Sequence, residues 1–141
     1  MDLENVHINA VLEESIAGFY GALTRQGITP IIHITEKRIE HQLNKAALAR
    51  IFSNILNNAL KYSDGDLAIT MEDDGEIIFS NAASGLNEVQ VGKLFDRFYS
   101  VENARNSTGL GLSIAKFLTE QMNGSIRAEY DRPRFSIYVK F

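Results

Sequence analysis

Ile51-Phe52-Ser53-Asn54-Ile55-Leu56-Asn57-Asn58-Ala59-Leu60-Lys61-Tyr62-Ser63 is the stretch on which the reading of this chain turns. Wound as a helix at about 100° per residue, it gathers Asn54, Asn58 and Lys61 within about 60° of one another. Phe52, Ile55, Leu56, Ala59 and Leu60 crowd the opposite side. A solvated face is the ordinary explanation of such a polar stripe. Asparagine, however, competes for backbone hydrogen bonds and is a poor residue for a helix interior, so three of them in five positions call for another reason. An asparagine carbonyl oxygen is a hard ligand suited to Mg²⁺, and a lysine one turn away can meet a phosphate.

Outward from this helix, which the pattern extends over about 44–62, the hydrophobic period changes repeatedly. Leu12, Ile16, Phe19 and Leu23 recur at spacings of three and four and predict a helix over about 9–25, ended by Gly27. The β-branched run 28–35, with Pro30 near its start, reads as a strand at a sheet edge. Strands at 67–71 and 76–79 are joined by the tight turn Asp73-Asp74-Gly75. A short helix is expected at 88–94 and a long loop at 95–108. A helix follows at 110–122, stopped by Asn123-Gly124, and strands at 125–130 and 135–141 flank Pro133. This order predicts an α+β fold: a two-layer α/β sandwich with a mixed, mostly antiparallel sheet and helices on one face.

The chain has 141 residues, 45% hydrophobic and 23% charged, the profile of one soluble globular domain. It contains no cysteine, which excludes disulfides, thiolate metal sites and a cysteine nucleophile. No apolar run approaches a membrane span, and the first residues do not read as a signal peptide. A net charge of -4 argues against general affinity for nucleic acid or an anionic membrane. The charges are nevertheless uneven: residues 62–90 hold seven acidic and no basic side chains, whereas 91–116 hold two acidic and four basic. Such a local excess suggests that 91–116 faces an anion.

Three further motifs lie downstream. Thr108-Gly109-Leu110-Gly111-Leu112 closes the long loop and opens a helix, where free N–H groups favour an anion and glycines admit a close ligand. Asn81-Ala82-Ala83-Ser84-Gly85-Leu86 is a turn of small residues after a strand. Phe95-Asp96-Arg97-Phe98-Tyr99 sets an arginine among aromatic anchors. Taken singly, each is an ordinary loop or turn. Taken in chain order after the helix that carries Asn54, Asn58, Lys61 and Tyr62, first Asn81 to Gly85, then Phe95 to Phe98, then Gly109 to Leu112, they resemble the N, G1, F and G2 boxes of the catalytic and ATP-binding domain of sensor histidine kinases, within the superfamily shared with gyrase, the Hsp90 chaperones and MutL. The resemblance spans nearly the whole chain, and it implies the Bergerat ATP-binding fold.

It also implies roles. Asn58 would be the Mg²⁺ ligand and Asn54, one turn earlier, would help position metal or reacting groups. Lys61 would meet the phosphates and Tyr62 line the nucleotide pocket. Gly109, Leu110, Gly111 and Leu112 would wrap the triphosphate, residues 95–108 would form the ATP lid, and Arg97 would support the γ-phosphate. The G1 pattern Asp-x-Gly-x-Gly falls on Asn81, Ala83 and Gly85, so two of its three key positions differ. Asn81 still offers adenine an acceptor, but an uncharged one. Charged acceptors contribute roughly 1.5–3 kcal/mol and neutral ones nearer 1, so weaker rather than absent ATP binding is expected. The Ala83 methyl would crowd the nucleotide, and Ser107 replaces the first G2 glycine.

His7, His33 and His41 lack the acidic neighbour and following proline of the family's phosphoacceptor. The expectation is therefore a catalytic domain, with the dimerisation, phosphoacceptor and sensor parts elsewhere. It would use ATP and Mg²⁺ to phosphorylate a histidine on the dimerisation domain of the same kinase, upstream of a response regulator. It would lie in the cytoplasm as part of a membrane-anchored sensor, without itself contacting membrane or nucleic acid. The alternative is a degenerate nucleotide-binding interaction module that transfers no phosphate.

Overall fold

In the computed structural model, which describes residues 1–99 and 111–141, the chain runs β1 (Glu4–His7), α1 (Ile8–Arg25), β2 (Thr29–Ile34), β3 (Glu40–Leu43), α2 (Lys45–Tyr62), β4 (Asp66–Met71), β5 (Ile77–Ala82), α3 (Glu88–Lys93), α4 (Gly111–Gln121), β6 (Ser125–Asp131) and β7 (Arg134–Lys140). Five strands form one sheet in the order β2-β4-β5-β7-β6. Only β2 and β4 pair in parallel; the other neighbours are antiparallel. The expected mixed, mostly antiparallel sheet is therefore present, and Pro30 does lie in an edge strand, where its missing N–H costs little.

Strand alternation builds the core face. Leu67, Ile69 and Met71 of β4, Ile77 and Phe79 of β5, and Phe135, Ile137 and Val139 of β7 are all buried, with period-two spacing turning them to one side. The helices cover that side. Phe52 of α2 meets Phe79 of β5 with ring centroids 6.1 Å apart. Magnitudes explain why α2 stands despite its asparagines. Each asparagine costs about 0.5 kcal/mol in propensity, whereas burying each of Leu48, Ile51, Phe52, Ile55 and Leu56 contributes about 1.5–3 kcal/mol. Asn44 caps the helix by accepting the Ala47 N–H at 2.9 Å.

Two elements escape the sequence reading. β1 and β3 form a separate two-stranded ribbon, although 36–43 reads only as a polar connection. Glu4-Asn5-Val6-His7 and Glu40-His41-Gln42-Leu43 are too short and polar to show a period. The ribbon is held by its register and by Glu40, which accepts from Asn5 and Arg38. Asn9, buried in the first turn of α1, ties down the adjoining segment. Its Nδ2 donates to the Thr35 and Lys37 carbonyls at 3.1 and 2.8 Å, and its Oδ1 accepts the Ile39 N–H at 2.9 Å.

Helix α4 begins at Gly111 in the described residues and ends at Gln121; two residues on, Asn123 adopts φ 62°, a left-handed conformation that stops the helix. Gly124 follows because nothing larger fits: a Cβ there would lie 2.6 Å from Phe141 Cδ1 and 2.9 Å from the Lys140 carbonyl oxygen.

Candidate nucleotide site

The polar stripe of α2 does not face open water. Asn54, Asn58, Lys61 and Tyr62 line a cavity of about 30 Å³ between α2 and the start of α4, where Gly111 and Leu112 complete its wall. Asn58 is buried, yet its amide has no hydrogen-bond partner among the described residues. It is left to meet whatever enters. Lys61 makes no ion pair among the described residues. Asn54 is engaged, its Nδ2 donating to the Gly111 carbonyl at 2.8 Å, and it thereby fastens the N-terminus of α4 beside α2. Around Gly111 no atom lies within 4 Å of the place a Cβ would take. The glycine thus leaves room for a ligand beside the start of α4.

Three lining residues were not picked out from the sequence: Asn57, Leu94 and Tyr99. Asn57 looks like a third polar residue on an amphipathic helix, and Leu94 and Tyr99 look like ordinary anchors at either end of the Phe95–Phe98 run. Only the fold brings them to α2. Conversely, Arg97 is exposed and lies outside the cavity lining, its guanidinium carbon 5.1 Å from the centroid of the Phe98 ring. Phe98 itself adopts φ 64°, a strained conformation for a bulky side chain. Gly109, Leu110 and the lid from residue 100 onward lie outside the described residues.

Asn81 sits on the helix-facing side of β5, buried, with Nδ2 donating to the Ala82 carbonyl at 3.1 Å. Its Oδ1 has no partner among the described residues and remains available as an acceptor. It does not line the α2 cavity. Ala83, whose methyl is expected to crowd the nucleotide, is fully buried within the hydrophobic core in this structure. Gly85 is exposed, with no atom near a would-be Cβ.

Beside this turn, burial pushes the Asp66 carboxyl up. The Ala82 N–H and the Arg134 guanidinium outweigh it and hold the group below the usual carboxylate range. Among the described residues no three His, Asp or Glu side chains gather as a metal site. A divalent cation here would therefore draw on the Asn58 carbonyl oxygen and on oxygens of its own ligand. The donor set suits Mg²⁺, which keeps waters and phosphate oxygens in preference to an all-protein cage.

Residues 44–141, from the N-cap of α2 to the end of β7, match the family described as Histidine kinase-, DNA gyrase B-, and HSP90-like ATPase. The chain belongs to this family.

Among relatives of this ATPase domain, the sensor histidine kinase YcbM of Bacillus subtilis is 32% identical over 98% of the chain and 48% of its own length. The sensor protein VanS of Enterococcus faecium is 34% identical over 90% of the chain and 35% of its own length. The chain thus spans about half, or less, of the relatives it matches. In fold, it superposes on the catalytic domain of histidine kinase ThkA with a TM-score of 0.87 at 19% identity, covering 100% of this chain and 95% of that one. The full-length ShkA structure, a complex with AMPPNP, superposes with a TM-score of 0.72 at 20% identity over 99% of this chain and 30% of that one. Among the described residues no helix is long and apolar enough to cross a membrane.

Proposed function

We propose that this chain is the catalytic domain of a sensor histidine kinase, binding Mg-ATP and passing the γ-phosphoryl group to a histidine on a separate dimerisation domain. The observation that carries this reading is Asn58: a largely buried residue whose amide has no hydrogen-bond partner among the described residues, in a cavity that also presents the Lys61 ammonium and the start of α4. An amide that opens onto a cavity and spends no hydrogen bond on the described residues is available to a ligand there. ShkA, a structural neighbour, is described with the nucleotide analogue AMPPNP.

In this reading Asn58 gives its carbonyl oxygen to Mg²⁺, which when bound neutralises phosphate charge and orients the triphosphate. Lys61 meets the phosphates, and Tyr62 and Leu112 flank the nucleotide, with Gly109, Leu110 and Gly111 wrapping its phosphates. Asn54 holds α4 against α2, so the helix N-terminus and the Asn58 face form one anion site. A cavity of about 30 Å³ holds a water- or ion-sized group, so the base must lie beyond it, and Asn81 and Gly85 are assigned to that end. Arg97 is assigned to the γ-phosphate from the lid. The acceptor imidazole forms a P–N bond as the bond from the γ-phosphorus to the ADP oxygen breaks. The domain supplies positioning and charge neutralisation. The acceptor domain, a downstream response regulator and a cytoplasmic setting beneath a membrane-anchored sensor complete the assignment.

A second reading has its own support. Asn81 and Ala83 replace two key positions of the G1 pattern, as in a module that binds nucleotide without transferring phosphate. Mixing the chain with its matching dimerisation domain and γ-labelled ATP separates the two. Acid-labile label on the acceptor histidine is expected. ATP binding without any such label would leave the interaction module as the function.

A further inference from the structure

Asn81, Phe135 and Tyr130 lie side by side on β5, β7 and β6, paired Asn81 to Phe135 and Phe135 to Tyr130, and so share the helix-facing side of the sheet. From there the Tyr130 hydroxyl reaches the loop that follows Asn81, lying 2.9 Å from the carbonyl oxygens of both Ala83 and Leu86. One O–H is shared between two acceptors. The hairpin tip adds the Pro133 carbonyl, which accepts the Ala83 N–H at 2.7 Å, and Arg132 Nη2, which donates to the Ser84 carbonyl at 3.1 Å. On the other flank Asp64 accepts the Ser84 N–H at 2.9 Å, and Asp66 accepts the Ala82 N–H at 2.8 Å while held by Arg134 at 2.7 Å.

Within the loop one backbone bond closes the turn, the Leu86 N–H donating to the Ala83 carbonyl at 3.1 Å; side chains add little. Ala82-Ala83-Ser84-Gly85 offers little side chain to pack, and a glycine with open space around it has much freedom to lose. Most of the hydrogen bonds that fix the conformation come from outside, from the β6–β7 strands and tip on one side and from Asp64 and Asp66 on the other. The hydroxyl bonds this loop and neither Asn58 nor Lys61.

We propose that Tyr130 is a positioning residue for the base end of the nucleotide site: its hydroxyl pre-orders the 83–86 loop, and with it Asn81, to receive adenine. This rests on the placement of adenine at Asn81. A loop already ordered before binding spares the ligand the cost of ordering it. Tyr130→Phe keeps the ring in its packing and removes only the hydroxyl.

The test measures ADP and GDP affinities of the chain and of Tyr130→Phe, with circular dichroism verifying that both are folded at the working temperature. Loss of one neutral hydrogen bond's worth of pre-ordering predicts a fall of about fivefold in ADP affinity, with GDP affinity unchanged. A purely structural role lowers both alike, and that result overturns the proposal, as does unchanged ADP affinity. If Tyr130→Phe does not fold, the exposed Arg132→Ala decides, because it loosens the same loop and should lower ADP affinity in the same selective way. Should the unaltered chain fail to bind ADP, the nucleotide reading falls and this proposal with it. Normal ADP binding with an unaffected Tyr130→Phe removes this proposal alone.

Discussion

Asn58 and Asn81 are both buried asparagines, as is Asn9, and their bonding differs. Asn58 has no partner among the described residues, whereas Asn81 spends its Nδ2 on the neighbouring Ala82 carbonyl and keeps only an acceptor free. That bond gives Asn81→Asp two opposed effects. A carboxylate restores a charged acceptor for the adenine amino group and should tighten ATP binding several-fold. Without ligand, the same carboxylate is buried against a carbonyl oxygen with no donor, which should cost about 1–3 kcal/mol of stability. Denaturant titration and calorimetry on the one variant check both. Weaker ATP binding would remove Asn81 from the adenine position. The shared face of Asn58 and Lys61, which the fold turns to the cavity, was legible in sequence because a poor helix former recurring on one face needs a cause. The partners of Ala83 and Tyr130 were not legible, since a buried methyl and a tyrosine in a strand look the same whatever they touch.

At the scale of elements, periodicity was a sound guide wherever a segment buries one face. α1, α2, α4 and the five strands of the main sheet were all readable that way, and β2 was also read correctly as an edge from Pro30. The β1–β3 ribbon failed this test because four-residue polar strands carry no period, and its stability comes from contacts distant in sequence, among them Asn9 on the 35–39 segment. The stop of α4 was legible as Asn123-Gly124, but its severity was not. An alanine methyl at Gly124 would sit 2.9 Å from the Lys140 carbonyl as well as against Phe141. Gly124→Ala should therefore destabilise the fold by about 1–3 kcal/mol through overpacking, measured as a lower urea midpoint. An unchanged midpoint would mean that the C-terminus yields without cost.

Over the whole molecule, the charge asymmetry along the sequence resolves differently from its first reading. The acidic block 62–90 is tied to cations from other segments, Asp66 to Arg134, Asp73 to Lys37 and Asp74 to Lys140. In the basic segment 91–116, Arg97 lies over Phe98 and Lys116 over Phe95, and neither lines the cavity. Among the described residues the cation at the cavity is Lys61, from outside that segment. The folding of α2 against α4, which no count of charges along the sequence reveals, is what brings an ammonium to the cavity. These pieces converge on one claim, that the buried Asn58 face binds metal-bound ATP. Calorimetric titration of ATP with and without Mg²⁺, on the unaltered chain and on Asn58→Ala, tests it most directly. The account predicts markedly tighter binding with Mg²⁺ for the unaltered chain and loss of that difference in Asn58→Ala. Equal affinity with and without Mg²⁺ in the unaltered chain would contradict it.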